Sequence, residues 1–145
     1  MNPNNRPPIS TGSTASTVFT FRRIAVGAAL LLCAGLAIKY LDLIQAAATP
    51  NPIASSAESI SHGQRLWLQD CAACHGAQGR GDGPVTASLP KRPKDLTRVA
   101  KPPIFPDGVI AYRIANGVDV MPAWKSVLSQ EDIWDIVNFI RAQGQ

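Results

Sequence analysis

The chain has 145 residues, 46% hydrophobic and 17% charged, with 14 basic against 10 acidic side chains. That length suits one domain, and the composition excludes a collagenous or wholly disordered chain. The positive surplus sits in the N-terminal third; from Glu58 to Gln145 ten basic residues face nine acidic ones, which leaves a nucleic-acid role without electrostatic support.

Residues 1–23 are rich in Asn, Pro, Ser and Thr, lack acidic residues and have no helical or strand period, which predicts a disordered cytoplasmic N-terminus. The run IAVGAALLLCAGLAI from Ile24 to Ile38 carries no charge, and apolar character resumes after Lys39 as far as Ile44. Residues 24–44 therefore read as a signal anchor or a signal peptide. About 20 apolar residues span a bilayer and Lys39 can snorkel to headgroups, while Ala46-Ala47-Ala48 offers a small-residue cleavage site. Arg6, Arg22 and Arg23 precede the run, so the positive-inside rule keeps the N-terminus cytoplasmic and exports the chain beyond the apolar run. Cys33 reads as a small hydrophobe, because Leu32 before it does not suit lipid attachment.

Residues 45–58, QAAATPNPIASSAE, have the composition of a linker. The working domain is then 59–145. A helix is expected from about Ser61, with Ser59 and Ser61 as caps, running into the motif CAACHG. A second, shorter helix is expected from an Asp107 cap to the Asn116-Gly117 stop. The last is the clearest: Ser129 and Asp132 have capping-box spacing, and Ile133, Ile136, Val137 and Ile140 share one face. Gly63 and Trp67 are expected to meet Ile136 and Ile140 where the first and last helices cross. Between Gly76 and Pro106 lie 31 residues with four glycines and six prolines and no period. A loop that long in a small domain makes sense if it wraps a large apolar cofactor, which would also supply buried surface that a thin core lacks. The RGD at 80–82 lacks the strand-to-helix context of a phosphate loop and belongs to that wrapping segment.

The CAACHG run holds two of the three cysteines and one of the two histidines. On one helical turn Cys71, Cys74 and His75 fall on roughly one side. C-x-x-C-H is the spacing of c-type haem attachment, in which two thiols bond the haem edge and the imidazole reaches the iron. A thioredoxin-like dithiol would want a βαβ setting, and a zinc site would want a fourth ligand where only His62 remains.

The stretches CAACHGAQGRGDGP, LPKRPKDLT and IANGVDVMPAW followed by LSQEDIWDIVNFIR resemble class I cytochromes c of the bacterial monohaem kind, over about residues 60–143. The resemblance implies an all-α, small class I cytochrome c fold, with three or more helices and long loops around one covalently bound haem c. It points to the carbonyl of Pro93, in preference to Pro90, as acceptor for the second ring N–H of His75. Leu96, Tyr112 and Trp124 are expected to line the haem pocket. Apart from Met1, the chain has only Met121 as a thioether ligand; it lies 46 residues beyond His75, with Pro122 holding its backbone extended. Core filler is the other reading of Met121, and His62 the other candidate ligand.

Together these features imply a non-enzymatic, periplasmic monohaem cytochrome passing single electrons between respiratory partners such as a dehydrogenase, a cytochrome complex or a terminal oxidase. A dedicated haem c subunit of a membrane dehydrogenase or terminal oxidase complex is the alternative. The location implied is the bacterial inner membrane with the haem domain in the periplasm, or the soluble periplasm after cleavage. Arg80, Lys91, Arg92, Lys94, Arg98 and Lys101 cluster in the long loop, while Glu131, Asp132 and Asp135 begin the last helix. A basic haem face is therefore expected to steer an acidic partner, with association slowing as salt rises.

Overall fold

A computed structural model describes residues 14–99 and 105–144. The described elements are helical: α1 (Thr14–Ala48), α2 (Ala57–Leu66), a π-turn (Trp67–Cys71), α3 (Ala72–His75), a 3-10 turn (Thr86–Ser88), α4 (Leu96–Val99), α5 (Asp107–Asn116) and α6 (Gln130–Ala142). The chain divides into two compact units at Tyr40/Leu41.

α1 contains a stretch, Arg22–Ala48, that is long and apolar enough to cross a membrane. It begins at Thr14, so residues 14–23, expected to be disordered, are helical; residues 1–13 lie outside the described residues. Once a helix is nucleated by an apolar run, extending it by further residues costs little.

The segment 45–58 is not a free linker. Ala46 is buried, and the backbone of Ala46 and Thr49 approaches Gly108 so closely that a Cβ there would overlap the Ala46 carbonyl. The Thr49 hydroxyl donates to the Gln45 carbonyl at 2.8 Å, and Asn51 Nδ2 donates to Asn138 Oδ1 at 2.8 Å. Ile53 packs on the core. Short side chains gave this stretch no period to read, yet they are what allow the close approach.

α2 starts four residues earlier than expected, capped by the Ser56 side chain, which accepts from Ser59 N–H. Ser59 is instead a buried residue of the α2–α6 crossing. Its hydroxyl donates to Asp135, His62 Nδ1 lies 2.8 Å from the other Asp135 oxygen, and Asn138 Nδ2 donates to Ser59 Oγ at 2.8 Å. The carboxylate of Asp135 is buried but fully engaged, which is the condition for its tolerance inside a core. The expected acidic patch is thus partly internal, and Asp132 closes the capping box with Ser129 as anticipated. α5 begins at its predicted cap, one residue earlier than expected, with Pro106 as N-cap and Asp107 inside the helix, where its carboxylate takes Arg141 Nε at 2.6 Å. It stops at Gly117, whose φ of 74° suits glycine.

Ile136 and Val137 are wholly buried, and Trp67, Ile110, Ile114, Ile133, Phe139 and Ile140 surround them. The Trp67 and Phe139 rings meet at 5.7 Å. Gly63 lies directly against the Asp135 and Ile136 backbone, so the helices cross at a point where no side chain fits. Gly63→Ala is expected to destabilise the domain by about 1–3 kcal/mol through overpacking. The urea midpoint should fall with little change in slope; an unchanged midpoint would mean the crossing is elsewhere.

Candidate functional site

The π-turn ends at Cys71, and Ala72 N–H reaches back to the Trp67 carbonyl. Such single wide turns frequently occur at functional sites. Here it delivers the motif: Cys71 is buried, Cys74 and His75 are half-buried on α3. The loop then folds back on the motif. Gly81 N–H donates to the His75 carbonyl at 2.8 Å, Val85 N–H to the Ala73 carbonyl at 3.1 Å, and Leu96 N–H to the Gly79 carbonyl at 2.7 Å. Arg92 Nε donates to the Gly81 carbonyl at 2.9 Å. Trp67 braces the turn from behind, its indole N–H donating to the Gly76 carbonyl at 3.0 Å and its ring 5.6 Å from that of His75.

Of these, Trp67, Cys71, Cys74, His75, Arg92 and Leu96 line a cavity of about 370 Å3, within the range of small-molecule and cofactor sites. Cys71, Cys74, His75, Pro93, Leu96, Met121 and Trp124, all singled out from sequence, line it. Tyr112 does not. It lines a separate hollow with Ala111 and Trp134, because Ile110, Arg113 and Ile114 are the face of α5 turned to the cavity and Tyr112 lies round the helix from them. His62 is also absent from the lining, held between Asp135 and Asp132. The lining residues that sequence reasoning missed are Asp70, Leu89, Phe105, Ile110, Arg113, Ile114 and the Val118–Val120 turn, with Trp67, Ile136 and Ile140 read only as packing. The i, i+3, i+4 stripe Ile110–Arg113–Ile114 was the available signal.

The electrostatics favour a neutral imidazole at His75. Burial lowers the pKa of His75 below its ordinary value, so its lone pair is free at neutral pH. Its Nδ1 is buried with no hydrogen-bond partner. The expected bond to Pro93 does not form: that carbonyl faces Gly81, where a Cβ would overlap it. Burial, aided by Asp70 and Cys74, pushes the Cys71 thiol up to about 12. A redox dithiol needs a stabilised thiolate, the opposite condition. Both motif cysteines are free, and no cluster of three or more metal-binding side chains occurs among the described residues, which removes support from a structural zinc site.

The cavity rim is cationic, with Lys91, Arg92, Lys94 and Arg113 among the lining residues. Arg80 and Arg98 are exposed outside it, and Lys101 falls outside the described residues. Lys91 holds the Asp119 carboxyl below the usual carboxylate range by a hydrogen bond and by its charge, with Lys94 and Arg113 adding to the effect.

Against known proteins, residues 58–140 match the family model described as Cytochrome C oxidase, cbb3-type, subunit III. Cytochrome c6 of Alaria esculenta is 29% identical over 85 residues, 59% of this chain and 92% of that protein. Cytochrome c6 of Porphyra purpurea is 30% identical over 91 residues, 61% of this chain and 76% of that one. Among solved structures, a chain of the Kuenenia stuttgartiensis reducing HAO-like protein complex matches with a TM-score of 0.56 and 24% identity, over 65% of this chain and 47% of that one. This chain spans about half of that longer chain, and at that identity the likeness concerns the fold alone.

Proposed function

This chain belongs to the family of cytochrome c oxidase, cbb3-type, subunit III, whose members are c-type cytochromes, and from that membership we propose that it is a membrane-held, periplasmic monohaem carrier of single electrons. The observation that carries the reading is the convergence of Cys71, Cys74, His75 and Met121 on one cavity, where the buried Nδ1 of His75 lacks a partner.

We assign haem c to that cavity, where Cys71 and Cys74 would hold it through thioethers and His75 and Met121 would ligate its iron. Haem c held in this way supplies a one-electron centre with no open position for a substrate, which suits a carrier rather than an enzyme. The remaining side chains have supporting parts. Trp67 backs the His75 ring. Leu96, Trp124, Ile136 and Ile140 keep water out. The cationic rim offers a redox partner a docking surface, and membership of an oxidase-subunit family supports a second reading as the haem subunit of a terminal oxidase complex.

Retention of the apolar segment is supported by the packing of Ala46 against Gly108, since cleavage after Ala48 would strip the domain of a buried turn. The mature protein is expected to begin before Ile24 and to stay in the membrane through carbonate washing. A mature N-terminus at Thr49 would overturn the anchor.

Met121→Ala is expected to open the iron to carbon monoxide, and Met121→His to lower the reduction potential while keeping a six-coordinate spectrum. Unchanged spectra and potential in both variants would remove Met121 from the site.

A further inference from the structure

Asp119 holds an uncommon backbone conformation two residues from Met121. Residues 118–121 close as a tight turn: Val118 N–H donates to the Met121 carbonyl at 3.1 Å and Met121 N–H to the Val118 carbonyl at 2.9 Å. Asp119 is the only non-glycine with positive φ, 52°, among the described residues. At the first central position of such a two-residue turn, glycine carries no steric cost and aspartate does.

The side chain accounts for what the backbone disfavours. Asp119 Oδ2 accepts from Lys91 Nζ at 2.7 Å, and both residues line the same cavity. With side chains 64% and 58% exposed, they stand at its rim. Lys91 comes from the segment after the attachment motif, whose next residue, Arg92, is tied to Gly81, and Gly81 is tied in turn to the His75 carbonyl. The pair therefore joins the wall that carries His75 to the turn that carries Met121.

We propose that the Lys91–Asp119 ion pair is a positioning latch for Met121, controlling how readily that side chain leaves the haem iron. The inference rests on Met121 being the sixth ligand. An exposed ion pair contributes little to global stability, so the latch acts on local opening of the 118–121 turn, which the two backbone hydrogen bonds close. Lys94 and Arg113 also lie near Asp119, so the charge of Asp119 matters more than the identity of any single cation, and Asp119→Asn is the sharper probe. Asparagine tolerates the left-handed backbone, which separates loss of charge from loss of turn geometry.

The test uses the full-length haem-loaded protein in detergent, titrating the ferric form with imidazole and following the absorbance band of methionine–iron ligation. At low salt, Asp119→Asn is expected to bind imidazole on the order of threefold to fivefold more tightly than wild type, and Lys91→Met more tightly by a smaller factor. The double variant should be no worse than the stronger single one, and Lys91→Arg should behave as wild type. At about 1 M salt, where screening reaches ~3 Å, the differences should shrink. A methionine band with equal imidazole affinities in all variants overturns the latch and leaves the ligand assignment standing. A wild-type protein without that band overturns the ligand assignment, and the latch with it.

Discussion

The contact on which the rest of this domain depends is the backbone approach of α2 to α6 at Gly63. With no side chain between them, the Gly63 backbone meets the Asp135 and Ile136 backbone directly, and everything distal on α2 is aimed from that point. Ser59, Gly63, Trp67 and Cys71 are all buried and spaced four residues apart. In a regular helix of 3.6 residues per turn such a stripe drifts round the axis. The wide turn at Trp67–Cys71 takes up part of that drift, so Cys71 stays on the inner side and enters the cavity wall. α6 contributes to the same cavity from the other helix of the crossing, through Ile136 and Ile140.

Polar groups hold this crossing as well as apolar ones. Asp135 is a buried acid whose oxygens are taken by Ser59 and His62, and Asn138 links Ser59 to the chain entering α2, through Asn51 and the carbonyls of Ile53 and Ala54. Removing one member would leave a buried polar group without a partner, which costs more than the lost bond itself. The network fastens the segment before α2 to the last helix and fixes the entry into the attachment motif. It also explains why His62 serves structure: its Nδ1 is committed to Asp135, and it is absent from the cavity lining.

Part of the cavity lining was legible because rare residues recur there at a recognisable spacing. Cys71, Cys74 and His75 stood out by C-x-x-C-H and Met121 as the one internal methionine, and all four line the cavity. The capping box at Ser129 and Asp132 was legible because both halves are local side-chain bonds. What could not be read depends on packing across the chain. The π-turn arises from the register of α2 against α6, and no residue in WLQDC marks it. Tyr112 was placed on the cavity by its aromatic character, whereas the helical phase of α5 places Ile110, Arg113 and Ile114 there. The stretch 45–58 read as a linker because its contacts are made by backbone and by Asn51 to a residue 87 positions away.

The central claim is that this cavity holds one haem bound through Cys71 and Cys74, and fragmentation mass spectrometry of the protein from its native membranes tests it most directly. The peptide containing residues 71–76 is expected to carry the mass of one haem, with neither cysteine open to alkylation after reduction. A peptide of unmodified mass, with both cysteines alkylated, would contradict it.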